Sequence, residues 1–231
     1  MSSRKQHTNT LAYDYDSYLA RALFPKYDEM QGLIVEQIPF SVNDNFTVID
    51  FGIGTAETSM RILKTFLRAF VLGIDENEEM IEIAKKKTNL YDNRIFVMKQ
   101  DFYTSIPPMK GDAIISSISL HHEEDKEQLF QRFYSTTNTN GVCIVADVVT
   151  YKDKEKTMRT EQEWKDYLIR TLGKKQAVYR FDEFKIHDKP SPLEDQLKWM
   201  KQAGYVNVRV FWECMNYAAF VGYKNNLFYH S

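Results

Sequence analysis

Only two of the 231 residues are cysteine, Cys143 and Cys214. Both fall in apolar runs that read as strands, so no disulfide framework holds this chain, and a cytoplasmic, reducing location fits. Metal-ligand spacing is missing as well. The five histidines make no cluster with the cysteines, and the adjacent His121 and His122 are expected to point apart without a third ligand. No metal centre is expected. No run approaches the roughly 18 apolar residues of a membrane helix, so no membrane partner is expected. Met1 to His7 has no apolar stretch after its basic pair and does not read as a signal peptide. An excess of positive charge is absent too: the net charge is −2 and the pI about 6.2. That disfavours nucleic acid as a partner, although Lys85 to Lys87 and the stretch from Lys152 to Arg159 leave tRNA open. Repeats and low-complexity segments are also lacking. With 43% hydrophobic and 27% charged residues, the composition is that of an ordinary globular α/β domain.

Against these absences stands one informative stretch, residues 48 to 59. An apolar run from Phe46 to Phe51 ends in Gly52-Ile53-Gly54 and passes into a helical pattern from Ala56 to Leu67. Strand, glycine turn and helix make the first unit of a nucleotide-binding fold. Glycines there let the backbone approach a ligand, and the helix N-terminus offers unpaired N–H groups. Twenty-one residues past Gly54, the run from Phe70 to Ile74 ends at Asp75, where a carboxylate is expected to bind the two hydroxyls of a ribose. A dinucleotide site wants a third glycine. Thr58 stands there instead, and Glu57 would face a pyrophosphate.

The run from Ile49 to Ala56 resembles the D-x-G-x-G-x-G signature of class I S-adenosylmethionine-dependent methyltransferases, with Asp50, Gly52 and Gly54 in the motif and Ala56 replacing its last glycine. Further elements follow in the family's order. The run from Arg94 to Phe102 matches the strand whose terminal acid accepts from the adenine amino group; the resemblance gives Asp101 that role and sets Phe102 against the ring. Gly111 to His122 resembles the central strand and the loop beneath the sulfonium, which includes Ser119. Thr139 to Asp147 repeats the glycine turn into the next strand. The resemblance implies S-adenosyl-L-methionine as cofactor. It also implies a Rossmann-like α/β fold: a seven-stranded, mostly parallel sheet with a C-terminal antiparallel hairpin and helices on both faces.

The chain reads as one domain in four parts. Residues 1–40 form an aromatic, partly helical cap broken at Pro25, and residues 41–150 the cofactor core. Strands are expected near 46–51, 70–75, 94–98, 112–118 and 142–147, with helices near 56–67, 77–88 and 124–136. Residues 151–190 form a charged insertion placed where the family often sets a lid. Residues 191–224 hold a helix closed by Gly204 and two strands. The cap can close the site within one chain or pack on a second, which leaves a homodimer open.

The part after His187, together with the segment from Phe24 to Tyr27, resembles small bacterial methyltransferases near the wobble-uridine carboxymethyl pathway, including carboxy-S-adenosylmethionine synthase. That resemblance puts Tyr27 against the amino-acid moiety of the cofactor and makes Arg170 and Arg180 candidates for an extra carboxylate.

A sulfonium methyl is already activated, so the protein mainly orients the reactants and excludes water. Where the acceptor carries a proton, a base is needed. His121, after the central strand, is the first candidate and His187 the second; the alternatives are packing for His121 and a surface role for His187. Tyr15, Tyr18, Tyr27, Trp164 and Tyr179 could cage a cationic acceptor or simply pack a lid. Ser119-Leu120-His121-His122 stands where adenine and glutamine methylation uses a proline motif. The expected reaction is therefore in-line methyl transfer to a small molecule. Two alternatives stay open, a synthase or tRNA-modifying enzyme of the wobble pathway and a non-catalytic binder of the cofactor.

Overall fold

The computed structural model describes residues 20–101 and 106–225. Its centre is a seven-stranded sheet in the order β3-β2-β1-β4-β5-β7-β6. β1 (Thr47–Phe51), β2 (Phe70–Asp75), β3 (Ile95–Lys99), β4 (Gly111–Ser117) and β5 (Thr137–Val148) run parallel. β6 (Val206–Cys214) and β7 (Tyr217–Tyr223) form the terminal hairpin, with β7 inserted antiparallel between β5 and β6. The central strands are apolar along their length because both faces are covered, as parallel sheets require.

Side chains alternate between two cores. Val48, Ile115, Ile144 and Val221 face the helices α2 (Tyr27–Glu36) and α3 (Glu57–Thr65), with Ile34 and Ile62 in the same core. Ile49, Phe51, Cys143 and Phe220 face the other side, where α5 (Lys126–Thr136) contributes Phe130 and Phe133 and α8 (Leu193–Ala203) contributes Met200. On the outer strands, α4 (Glu78–Thr88) packs on β3. Asn77 and Asp125 cap α4 and α5, accepting from their first-turn N–H groups. Gly204 closes α8 at φ 116°, where a side chain would overlap the Tyr134 ring.

Two boundaries depart from expectation. β5 starts at Thr137 rather than near 142, through a polar Thr-Asn-Thr-Asn segment with Asn140 at φ 67°. Its first residue pairs with Gly111 before the register shifts. The insertion is two helices, α6 (Lys154–Leu172) and α7 (Lys174–His187), joined at Gly173. It leaves and returns at one point: Leu193 N donates to Thr150 O at 2.8 Å, and Thr150 N to Ser191 O at 3.2 Å. α6 then lies on the short helix α1 (Ala20–Leu23).

Candidate functional site

β1, β2, β3, β4 and β5 all end at one edge of the sheet, the carboxyl edge, where ligands of open α/β folds bind. At the end of β1 the chain makes its glycine turn. Gly52 sits at φ 73°, and a Cβ on it would overlap the Ser119 hydroxyl. Ser119 is thus packed directly onto the turn, 8% exposed. A Cβ on Gly54, at φ 53°, would meet only Gly52 O, at 4.0 Å, which leaves room for a ligand beside the backbone. Ala56 takes the left-handed conformation, φ 66°, that the missing glycine would adopt.

Asp75 closes this half-site. Gly54 N donates to Asp75 Oδ2 and Asn77 N to Asp75 Oδ1, each at 2.9 Å. Burial pushes this carboxyl up while the backbone donors pull it down, and its net shift is upward. An ionised carboxylate has more acceptor sites than these two contacts use. Asp50, by contrast, is turned into the packing between β1 and α3, 2% exposed, with Ser59 Oγ donating to it at 2.6 Å. Burial raises its pKa to about 7. Asp50 therefore braces the turn from below.

Above the edge lies a residue that sequence reasoning passed over. Gln31 of α2 is 1% exposed; it donates to Ser117 Oγ at 3.0 Å and accepts from Thr58 Oγ1 at 2.7 Å. One amide so ties the cap to β4 and α3. A buried polar residue between apolar Met30 and Ile34 is the signal that could have found it. Tyr27, at the start of α2, is 8% exposed and lies beside Phe24. Asp101 is exposed just past β3, while Phe102, Tyr13, Tyr15 and Tyr18 lie outside the described residues.

The histidines correct the expectation that they diverge. The rings of His121 and His122 are 4.0 Å apart, and both face Asp188, which follows α7: His121 Nε2 is 3.9 Å and His122 Nδ1 3.3 Å from its oxygens. Asp147, at the end of β5, holds His121 from behind. Its Oδ1 is 2.5 Å from His121 Nδ1 and its Oδ2 accepts from His121 N at 2.9 Å. Burial opposes both charges, yet the contact prevails, holding the Asp147 carboxyl below its ordinary range and the His121 imidazole above. Lys126, 1% exposed, donates to Glu123 O at 2.5 Å and Lys189 O at 2.6 Å beside this pair. His187 is not part of the group. Its Nε2 lies 3.8 Å from Glu183 on the half-exposed side of α7.

Nor do the described aromatics form a cage. Trp164 is 4% exposed and donates to Leu23 O at 2.9 Å, whereas Tyr179 is exposed beside Arg180. Glu57, which argued against a pyrophosphate, pairs with Arg61 at 3.0 Å and Lys87 at 2.9 Å.

Residues 42–204 match the model of a methyltransferase domain family. The chain belongs to this family. It is a class I S-adenosylmethionine-dependent methyltransferase, with that molecule as its cofactor. The methyltransferase is 25% identical over 221 residues to carboxy-S-adenosyl-L-methionine synthase of Campylobacter fetus, covering 91% of this chain and 90% of that one. It superposes on the S-adenosylmethionine-dependent methyltransferase SibL with a TM-score of 0.64 at 16% identity, over 86% of this chain and 55% of the other. On Haemonchus contortus phosphoethanolamine N-methyltransferase 2, solved with S-adenosyl-L-methionine, the TM-score is 0.65 at 14% identity, over 86% and 53%. The methyltransferase thus spans about half the length of these two solved chains, and at such identities they show the fold. No helix among its described residues is long and apolar enough to cross a membrane.

Proposed function

We propose that the methyltransferase moves a methyl group from S-adenosylmethionine to a small-molecule acceptor by in-line displacement at the carboxyl edge. The observation that carries the reading is the joined half-site of glycine turn and Asp75, linked by the 2.9 Å Gly54–Asp75 contact. In this reading Asp75 takes the ribose hydroxyls, the open backbone at Gly54 faces the amino-acid moiety with Tyr27, Asp101 and Phe102 take the adenine, and Ser119 lines the floor. The cap and the α6–α7 pair enclose the acceptor. A small acceptor suits an edge roofed by helices that Gln31 already ties down. His121 handles the acceptor's proton, its Nδ1 fixed by Asp147; His187 has no part in the reaction.

The test is calorimetric titration with S-adenosylhomocysteine. Asp75→Ala removes two charge-assisted hydrogen bonds and is expected to weaken binding by about 30-fold or more. Unchanged affinity would remove the ribose assignment.

A second reading is favoured by the end-to-end similarity to the Campylobacter fetus synthase, 91% of this chain against 90% of that one. Here the bound molecule is the carboxylated cofactor, with Arg170 and Arg180 as candidate partners. Mass spectrometry of what the denatured protein releases separates the two: S-adenosylmethionine or its demethylated product supports methyl transfer, and a carboxylated form supports the synthase.

A further inference from the structure

His121, His122 and Asp188 bring two imidazole nitrogens and a carboxylate oxygen within 4.8 Å of one another. Ligands about 2.1 Å from a tetrahedral ion stand about 3.4 Å apart. His122 Nδ1 lies 3.3 Å from one oxygen of the Asp188 carboxylate and His121 Nε2 3.9 Å from the other, so each histidine is already near that spacing from the group. The remaining adjustment falls on His122, whose side chain is 55% exposed. His121, 8% exposed, is the fixed member.

The support behind His121 is of the kind a metal ligand needs. Asp147 Oδ1, 2.5 Å from Nδ1, keeps a hydrogen on that nitrogen, so Nε2, which faces Asp188, is the atom left to ligate. A carboxylate that orients a histidine through its other nitrogen is the usual second layer of a metal site. Asp147 is itself anchored by His121 N and Val148 N at 2.9 and 2.7 Å. The two ligand-bearing segments, the turn after β4 and the loop after α7, are also joined without any ion: Lys189 N donates to His121 O at 2.7 Å. The carboxylates Asp147 and Asp188 together outweigh the nearby Lys126, so the local charge favours a cation.

We propose that His121 Nε2, His122 Nδ1 and the Asp188 carboxylate bind a divalent first-row transition ion. Two imidazoles and one carboxylate suit cobalt, nickel, zinc or ferrous iron, whereas magnesium and calcium want oxygen alone. Three protein ligands leave positions open for water or an acceptor oxygen. The site draws on the same Nε2 lone pair that proton transfer would use, but it does not depend on methyl transfer taking place.

Chelator-stripped full-length protein titrated with cobalt(II) chloride tests it. One equivalent is expected to bind, with visible d–d absorption. In His122→Ala and Asp188→Asn the affinity is expected to fall by at least about 10-fold, the lower end of what losing even a supporting residue costs a metal site. Circular dichroism and S-adenosylhomocysteine binding are expected to stay unchanged in both variants; His122→Phe replaces either one that does not fold. Absent cobalt binding, or equal affinity in the wild type and both variants, overturns the site. With S-adenosylhomocysteine binding intact, that result leaves the methyltransferase reading standing.

Discussion

Gly52 and Ser119 form the tightest contact of the glycine turn, and they carry a two-step prediction. Gly52→Ala places a Cβ onto the Ser119 side chain at a φ of 73°. Overlap and left-handed strain together are expected to cost about 2–4 kcal/mol, read from urea denaturation midpoints. Adding Ser119→Gly removes the overlap and leaves the strain, so the double variant should recover most of the loss. No recovery would place the cost in the backbone alone. Asp50 gives a pH signature. Its carboxyl titrates near 7 in the folded protein, because burial disfavours its charge, against an ordinary 3.8. The folded state therefore holds a proton that the unfolded chain has released, and Asp50 costs stability increasingly as pH rises from about 4 to 7. Asp50→Asn should be more stable than the wild type at pH 8, by an amount on the order of 1–4 kcal/mol. That gap should close by pH 4. Equal gaps at both pH values would show that Asp50 is already charged in the fold. The glycine turn was legible from the sequence because backbone need shows directly in residue type. The direction of the Asp50 carboxylate was not, since strand parity decides it and a family motif carries no parity.

At the scale of elements, α6 and α1 are held by a short zipper. Trp164, Tyr167 and Thr171, at helical spacing on one face of α6, donate to Leu23 O, Arg21 O and Ala22 O at 2.9, 2.6 and 2.8 Å. These are carbonyls that a four-residue helix cannot satisfy itself. Trp164→Phe keeps an aromatic ring but orphans the buried Leu23 carbonyl, a loss of about 1–3 kcal/mol. Limited trypsin digestion should then cut sooner after Arg21 and Lys26, while cleavage within the sheet stays unchanged. Uniform acceleration everywhere would mean that α1 and α6 open only with the whole fold. The five core strands were located correctly, apart from the polar start of β5, because buried parallel strands are near-continuous apolar runs. The α6–α7 pair was read only as an insertion, although Thr160, Trp164, Leu168 and Thr171 repeat at helical intervals. Charged residues between them hid a narrow buried stripe. The histidine cluster stayed hidden for a different reason: its third member, Asp188, is brought to it by an insertion whose return path no local pattern records.

Over the whole molecule, several lysines, three of them in the basic stretches that left tRNA open, are paired with acids on other elements. Lys87 pairs with Glu57 at 2.9 Å, Lys152 with Asp195 at 2.7 Å, Lys156 with Glu213 at 3.3 Å and Lys185 with Glu161 at 2.8 Å. Each such lysine would have to give up a carboxylate before it could displace a counterion from a phosphate. Binding driven by phosphate contacts weakens steeply with salt in proportion to the number of contacts made. A surface on which several lysines are already engaged, on a chain of net charge −2, should make few. Fluorescence anisotropy with labelled, unmodified tRNA should accordingly give a dissociation constant no tighter than about 10⁻⁴ M at physiological salt, the weak end of non-specific association. The dependence on salt should be shallow. Micromolar binding with a steep salt slope would instead mean that acidic partners are exchanged for phosphates on contact, and would bring back the tRNA-acting reading of the site.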